Sequence, residues 1–421
     1  MQSGNLKFKS LKRKYPRFVY RDYSYKISGR NLKISFFFEI PPDINFEPKI
    51  TIKNTSKTVL DGIDNLVFHL GLIEMVSYWK ATCSPIIEIR AGYLNKEQIK
   101  WWQDLIAKGM GQFFYENKMS FQKPEIISHN NYAHAHLLLS QKFTNQYLVP
   151  VGGGKDSVVT LELLKKNKKR MRCFSLNPTD ASRKIMKIAG CKNPIIAERK
   201  IDKKLLELNR KGFLNGHTPF SAYLAFLTVL VAALFGQKYI ALSNEKSSNE
   251  GNVKHLGKTI NHQWSKSFEF EEKFRKYSKK YLIGNVKYFS FLRSFYEIQI
   301  AKMFSRYPKY FSALLSCNEA YKTSSGTRKP TKKWCGKCSK CLFVFAALYP
   351  FIDEDKLIKI FGKNLFNDKS LLPIMQQLTG ERGFKPFECV GTKSECRKAL
   401  RLSLKKAKKL GGIPYLLTKV R

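Results

Sequence analysis

No stretch restricts the fold of this chain more than residues 147–165, which read Y-L-V-P-V-G-G-G-K-D-S-V-V-T-L-E-L-L-K. A short apolar run, Leu148 to Val151, meets three glycines and Lys155-Asp156-Ser157, and then Val158, Leu161 and Leu164 recur at helical spacing. That order is strand, tight loop and helix N-terminus. Glycines let backbone N–H groups approach an anion, the helix end adds partial positive charge, and Lys155 supplies a full one. The loop therefore reads as a phosphate cradle, set against the plainer reading of a glycine-rich turn without a ligand.

A Walker A loop ending at Lys155 would need Gly where Val149 stands and Ser or Thr where Asp156 stands. The spacing instead resembles the S-G-G-x-D-S loop of the PP-loop ATP pyrophosphatases, which split ATP between the α- and β-phosphates and adenylate a substrate. Gly152 occupies the place of that family's first Ser, so backbone must replace a hydroxyl contact.

Strand and helix patterns alternate after the loop. Met171–Leu176, Pro194–Ala197 and Lys238–Leu242 read as strands, and Ala181–Ile188 and Asp202–Asn209 as helices. Such alternation predicts an α/β fold with a parallel sheet, whose ligands sit beyond the C-terminal strand ends. Asn177, directly after Met171–Leu176, is placed to meet adenine. Thr218 as N-cap, Pro219 at the first helical position and Gly236 as a stop bound a nearly all-apolar helix. His217 before it has two readings, a backbone hydrogen bond or a substrate contact. The polar stretch Ser243–Asn252 follows the fourth strand, and Asn261–Glu269 comes shortly after; both suit a ligand rich in oxygen, or solvated loops.

Residues 1–140 read as a separate N-terminal α+β domain. Strand-like Tyr25–Ile40 is broken by Pro41-Pro42, Ile50–Ile52 is a short strand, and Val67–Lys80 and Gln98–Tyr115 are helices whose aromatic residues belong to a core. Ser128–Asn131, His134 and His136 lie in a connector and lack a third ligand type at metal spacing. Residues 141–310 form the nucleotide-binding α/β domain, with a helical region from Phe270 to Tyr310. Residues 311–421 form a helical, cysteine-containing C-terminal region.

In that region Cys335, Cys338 and Cys341 stand in W-C-G-K-C-S-K-C, and Cys317 is the natural fourth donor. Thiolates at this spacing converge on a tetrahedral ion, so a structural zinc is favoured over free thiols. The two Cys-x2-Cys steps share Cys338, which one zinc accommodates if a short helix begins there. The loop Gly380–Gly391 holds Arg382, Lys385, Glu388 and Cys389 and is more than a linker.

Composition narrows the partners. The net charge of +44 invites nucleic acid, yet Lys is spread along the whole chain beside abundant Ile, Phe and Asn, as in a compositional bias. Such a surface attracts any anion, and nucleic acid is the less favoured partner, though still open. The longest apolar run, Phe220–Phe235, falls short of the ~20 residues of a membrane span. The first residues, Met1–Arg17, lack the apolar core of a secretory signal, which gives a cytoplasmic expectation.

Taken together, P-V-G-G-G-K-D-S-V-V (150–159), N-G-H-T-P-F (215–220), S-N-E with N-E-G-N (243–252), N-H-Q-W-S-K-S-F-E (261–269), W-C-G-K-C-S-K-C (334–341) and K-P-F-E-C-V-G (385–391) resemble one family. It is the UDP-N-acetyl-α-D-muramoyl-L-alanyl-L-glutamate epimerases, ATP-dependent enzymes of peptidoglycan precursor synthesis. The resemblance implies that the terminal L-Glu of the UDP-muramoyl-dipeptide is activated as an acyl adenylate, releasing pyrophosphate. Removing the carboxylate charge makes the α-hydrogen acidic; inversion and hydrolysis then yield D-Glu and AMP. It further implies that Gly152, Gly153, Gly154, Lys155, Asp156 and Ser157 hold ATP, with Asp156 as a ligand of Mg²⁺. His217, Asn244, Glu245, Asn249, Asn252, His262, Gln263, Lys266, Arg382 and Lys385 would meet substrate.

A two-base inversion needs proton carriers on opposite faces of the α-carbon, and thiols and imidazoles suit it. Cys389, the thiol left in a motif-rich loop, and His262 are the candidates, against a reading of Cys389 as a small apolar residue. Two other classes remain open: a PP-loop ATP pyrophosphatase modifying RNA or a nucleobase, and a non-enzymatic protein binding zinc and nucleic acid.

Overall fold

The computed structural model describes residues 2–55, 62–128 and 143–420. Alternating burial sets up the first strands. β1 (Arg17–Ser28) and β2 (Asn31–Ile40) form a hairpin through Gly29, whose φ of +61° suits a residue without Cβ. Along β2, Leu32, Ile34, Phe36, Phe38 and Ile40 are buried and their neighbours are not, so one face of the ribbon is aromatic and apolar. β3 (Ile44–Phe46) and β4 (Lys49–Lys53) extend antiparallel from β2. On the other side of β1, β5 (Ile86–Ile89) and β6 (Glu125–Ser128) add in parallel.

The glycine-loop half supplies β7 (Thr144–Pro150), β8 (Met171–Leu176), β9 (Ile195–Lys200) and β10 (Gln237–Glu245). A small hairpin follows, β11 (Val253–His255) with β12 (Lys258–Ile260), and then β13 (Lys287–Leu292). These strands lie parallel in the order β13-β10-β7-β8-β9, and β9 pairs antiparallel with β4. The described residues thus share one mostly parallel, eleven-stranded sheet that runs without a break from β13 to β6. The chain leaves β7 toward β8 and β9, then returns to the opposite side of β7 as β10. That reversal opens a crevice at the C-terminal ends of β7 and β10, where open α/β sheets hold ligands.

Both faces are covered. Leu148 and Ile240 point into a core shared with the helices Asp64–Trp79, Lys96–Gly109 and Phe220–Phe235, while adjacent Val149 and Ala241 point into a second core. That second core is built on the helices Lys155–Lys166, Glu297–Phe304, Ser339–Leu348 and Lys393–Lys409. Phe220–Phe235 is buried along nearly its whole length and stops at Gly236, φ +68°. In the helix Asp64–Trp79, Gly71 lets Tyr20 lie against the backbone; an added Cβ would fall 1.9 Å from the Tyr20 hydroxyl.

Three expectations are corrected. The region Phe270–Tyr310 is not helical throughout, because K-Y-F-S-F-L buries Tyr288, Ser290 and Leu292 at period two and forms the edge strand β13. Gln98–Tyr115 is two helices, broken at Met110 (φ −95°, ψ 9°) between Gly109 and Gly111. Thr218 does not cap its helix: Pro219 sits at ψ 69°, outside helical space, so the helix starts at Phe220 without a side-chain cap. The histidines at 129, 134 and 136 lie outside the described residues. A disulfide joins Cys173 to Cys191. Among the described residues no helix is long and apolar enough to cross a membrane.

Candidate active site

The glycine loop leaves β7 at Pro150 and opens the helix Lys155–Lys166. Gly154 is its N-cap and no side chain caps it, so the positive helix end is free for an anion. Gly153 needs to be glycine: its φ is +100°, and a Cβ would meet Ala181 at 3.0 Å and the Leu315 carbonyl at 3.1 Å. Gly152 faces open space. Ser157 turns its hydroxyl back to the Gly154 carbonyl, 3.0 Å away.

Lys155 is buried, and its ammonium lies 2.5 Å from Asp156 Oδ1 and against the Glu297 carboxylate. Burial works against its charge, but Asp156 and Glu297 outweigh that and hold it protonated. Asp156 keeps 27% of its side chain exposed; against the cost of burial, Lys155 and Lys340 keep it ionised. Glu297 lies deeper, and burial pushes its carboxyl up to about 7 while Lys155 pulls the other way and Asp156 adds to the rise. Glu245, at the end of β10, is buried and likewise raised, chiefly by desolvation. The geometry of Glu297 is fixed by others: its N–H donates to Ser247 Oγ, and the next N–H, of Ile298, donates to Glu395 Oε1.

The loops after β10 close over this cluster. Arg293 gathers them by donating to the carbonyls of Glu245 and Lys266 and to Ser248 Oγ, and Glu271 holds its guanidinium. Lys266 Nζ then lies 3.0 Å from Cys389 Sγ, and His262 Nε2 lies 4.0 Å from the same sulfur. Burial raises the Cys389 thiol, but Lys266 and Lys340 together bring it below its ordinary value. Two proton carriers each ~3–3.5 Å from opposite faces of one carbon stand ~6–7 Å apart. Cys389 Sγ and His262 Nε2 stand closer than that, at 4.0 Å. His217 packs against His262 with ring centroids 4.6 Å apart and the rings tilted by 49°, and burial lowers both imidazoles to about 3.

Several of the residues expected to meet ligands are engaged in scaffolding. Asn177, at φ +46°, bonds the backbone of Arg199 through both ends of its amide. Asn244 donates to Ser290 Oγ, and Asn249 bridges the Lys246 carbonyl and the Phe268 N–H. Asn252 receives the His262 N–H and donates to the carbonyls of Lys385 and Pro386, stapling the Cys389 loop to the His262 loop. Gln263 reaches the Val390 carbonyl at 3.5 Å. Lys385 is buried 3.3 Å from Glu250, and Arg382 is exposed on its turn. Asn177 also lines a cavity of about 1240 Å³ beside the glycine loop, with Ala181, Leu315, Tyr321 and Trp334 in its wall.

Cys317, Cys335, Cys338 and Cys341 bring their sulfurs within 4.8 Å of one another, with contacts of 3.5–3.9 Å. A tetrahedral Zn²⁺ with ~2.3 Å bonds places its sulfurs ~3.8 Å apart, so the set fits that ion. A helix does begin at the shared cysteine, for Cys338 is the N-cap of Ser339–Leu348. The same helix supports the loop of Glu388 and Cys389: Lys340 donates its backbone N–H to Glu388 and its ammonium to the Cys389 carbonyl.

Residues 9–291 match the model of the MurL N-terminal domain and residues 313–415 that of the MurL C-terminal domain. A protein of Micromonospora sp. named UDP-N-acetyl-alpha-D-muramoyl-L-alanyl-L-glutamate epimerase is 34% identical over 79% of this chain and 73% of its own length. Proteins of the same name from Xanthomonas oryzae pv. oryzae and Salinispora tropica are 33% and 31% identical, covering 79% and 93% of this chain and 72% and 85% of their own. The chain belongs to this epimerase family.

Within this member of the epimerase family, sequence reasoning misses Glu297, Lys340, Arg293 and Gln112. Arg293 and Glu297 both follow the unrecognised strand β13, and once that strand is seen their place beyond its C-terminal end follows. Lys340 stands between two cysteines whose spacing drew attention to metal alone. Gln112 lies far upstream in the chain, and no local pattern marks it.

Proposed function

We propose that this protein inverts the terminal L-Glu of UDP-N-acetylmuramoyl-L-alanyl-L-glutamate to D-Glu in peptidoglycan precursor synthesis, activating it as an acyl adenylate at the expense of ATP. The names of its relatives support the epimerisation. The observation that carries the ATP step is the uncapped helix end behind Gly152–Gly154, which opens directly onto the Lys155, Asp156 and Glu297 charges. A PP-loop reading of β7, its glycine loop and the helix after it fits this arrangement.

In that reading Gly152 to Ser157 receive the phosphates, and the cavity bordered by Asn177 and Ala181 takes the adenosine. Asp156, ionised and partly exposed, is the residue to hold Mg²⁺, whose charge would assist pyrophosphate departure. Lys155 neutralises charge as the α-phosphate is attacked. Once the carboxylate charge is masked, the Cys389 thiolate removes the α-proton: the C–H bond breaks, an S–H bond forms, and the electron pair stays with the substrate as an enolate. Lys266 stabilises the thiolate before that transfer. The four cysteines hold a structural zinc that fixes the helix carrying Lys340. A nucleotide-linked precursor as substrate places the reaction in the cytoplasm.

The test is incubation of the purified protein with ATP, Mg²⁺ and the UDP-muramoyl-dipeptide. AMP and D-Glu should appear together and only together; D-Glu without AMP removes the adenylate, and AMP without inversion removes the epimerase.

A further inference from the structure

A hydrogen-bonded chain starts at the surface on Glu116 and ends at Cys389. A carboxylate without a proton only accepts, so Gln112 turns its Nε2 toward Glu116 Oε1, 2.8 Å away. Its Oε1 is then left facing His262 Nδ1 at 2.5 Å. An amide oxygen has no hydrogen to give, so Nδ1 carries the proton, and Nε2 of the neutral ring keeps a bare lone pair. That lone pair faces Cys389 Sγ at 4.0 Å. Burial first, then Lys266, with Lys385 and Lys340 in the same sense and Glu116 opposing, keeps the ring neutral, and the His217 ring packs against it at a tilt.

We propose that Gln112 and Glu116 are positioning residues that lock His262 in the Nδ1–H tautomer, so that the Cys389 sulfur has a partner in both of its protonation states. Lys266 Nζ at 3.0 Å balances the thiolate, and His262 Nε2 accepts from the thiol formed when the α-proton arrives. With the opposite tautomer the ring would donate to the thiolate and leave the thiol without an acceptor. The sulfur would then be a weaker base, since an added hydrogen bond to the charged form lowers a pKa. The inference rests on Cys389 as the proton carrier, yet the tautomer is a property of the free protein and is measured without substrate.

The experiment is ¹⁵N NMR of the imidazole nitrogens, with the His262 signals among the seven histidines identified by their loss in His262→Gln. Wild type should show a protonated Nδ1 and a bare Nε2. Gln112→Leu should lose that pattern, shift alkylation of Cys389 to lower pH, and slow exchange of the substrate α-hydrogen with D₂O by ~10–100-fold. Glu116→Gln, at an exposed position, frees the amide to turn over and should give mixed tautomers. The swapped pair Gln112→Glu with Glu116→Gln restores an acceptor opposite Nδ1 and should restore the wild-type spectrum and exchange. A protonated Nε2 in wild type, or an unchanged spectrum in both Gln112→Leu and Glu116→Gln, overturns the proposal while leaving the function reading standing. Failure of the AMP and D-Glu assay with the predicted spectrum intact does the reverse.

Discussion

Arg199 on β9 and Lys155 after β7 are both enclosed cations held by carboxylates, but the two are balanced differently. Arg199 faces one carboxylate, Glu74, through contacts of 2.8–3.1 Å from two of its nitrogens; Ser77 takes a further bond, and Tyr223 lies beneath the guanidinium. Arg199 and Glu74 are thus matched to each other, one cation to one carboxylate. Lys155 faces two carboxylates, Asp156 and Glu297, with Glu245 close enough to raise Glu297 further. The first arrangement is closed and holds the sheet to its helix. The second is shared: Lys155 is divided between two acids, and Lys340 also acts on both of them, so no group there has a single matched partner. The cysteine cluster is a third case, in which four sulfurs within 4.8 Å of one another could hold a metal ion.

Each arrangement can be broken separately. The largest effect is expected at the cysteines: Cys335→Ser or chelation should remove about one zinc per chain and on the order of 10 kcal/mol of folding free energy, read by metal analysis and by melting. Metal-free protein that melts normally would make those thiols spectators. Arg199→Met leaves Glu74 buried without its partner and should lower stability by ~3–5 kcal/mol in urea titrations, with turnover per folded molecule retained. Asp156→Asn should do the opposite, cutting AMP formation by ~10²–10³ with little change in melting temperature. If both variants lose activity and stability in equal measure, the contrast between the two clusters fails.

The smallest effect concerns Glu297. Its carboxyl rises from 4.5 to about 7 in the folded protein, so the folded state binds the extra proton between those values. Its contribution to stability is therefore full below pH 4.5 and is lost as pH rises through 7. Glu297→Gln, which stays neutral, should gain stability relative to wild type between pH 5 and pH 8, and a constant difference across that range would show that Glu297 is ionised throughout.

The glycine loop, the strands β7 to β10 and the convergence of the cysteines were legible because each depends on local spacing: apolar period, glycines before a helix, Cys-x2-Cys steps. Lys155 and Asp156 were singled out by that spacing, Lys266 and His262 by a polar loop after a strand, and Cys389 as the thiol left outside the cysteine cluster; the structure sets Lys155 beside Asp156, and Lys266 and His262 beside Cys389. What stayed hidden depends on distance along the chain. β13 was masked by basic and aromatic flanks that read as helix, and with it went Glu297. Whether Asn252 or Asn177 meets a ligand or staples backbone is a matter of which carbonyls lie nearby, and the sequence does not encode that locally. His262 and Cys389 were paired as proton carriers from their loops alone, and the structure adds only their separation, 4.0 Å between Nε2 and Sγ.

The antiparallel seam between β4 and β9, Lys49 with Lys200 through Ile52 with Ala197, has a consequence for how this chain comes into being on the ribosome. β4 emerges long before β9, and until β9 is made it presents a row of unpaired backbone groups to any other nascent strand. The N-terminal ribbon therefore waits, with an adhesive edge, for a segment about 150 residues downstream. Synthesis pauses or rare codons between them would lengthen that exposure, so chaperone demand and aggregation in overexpressing cells should respond to translation speed across this interval.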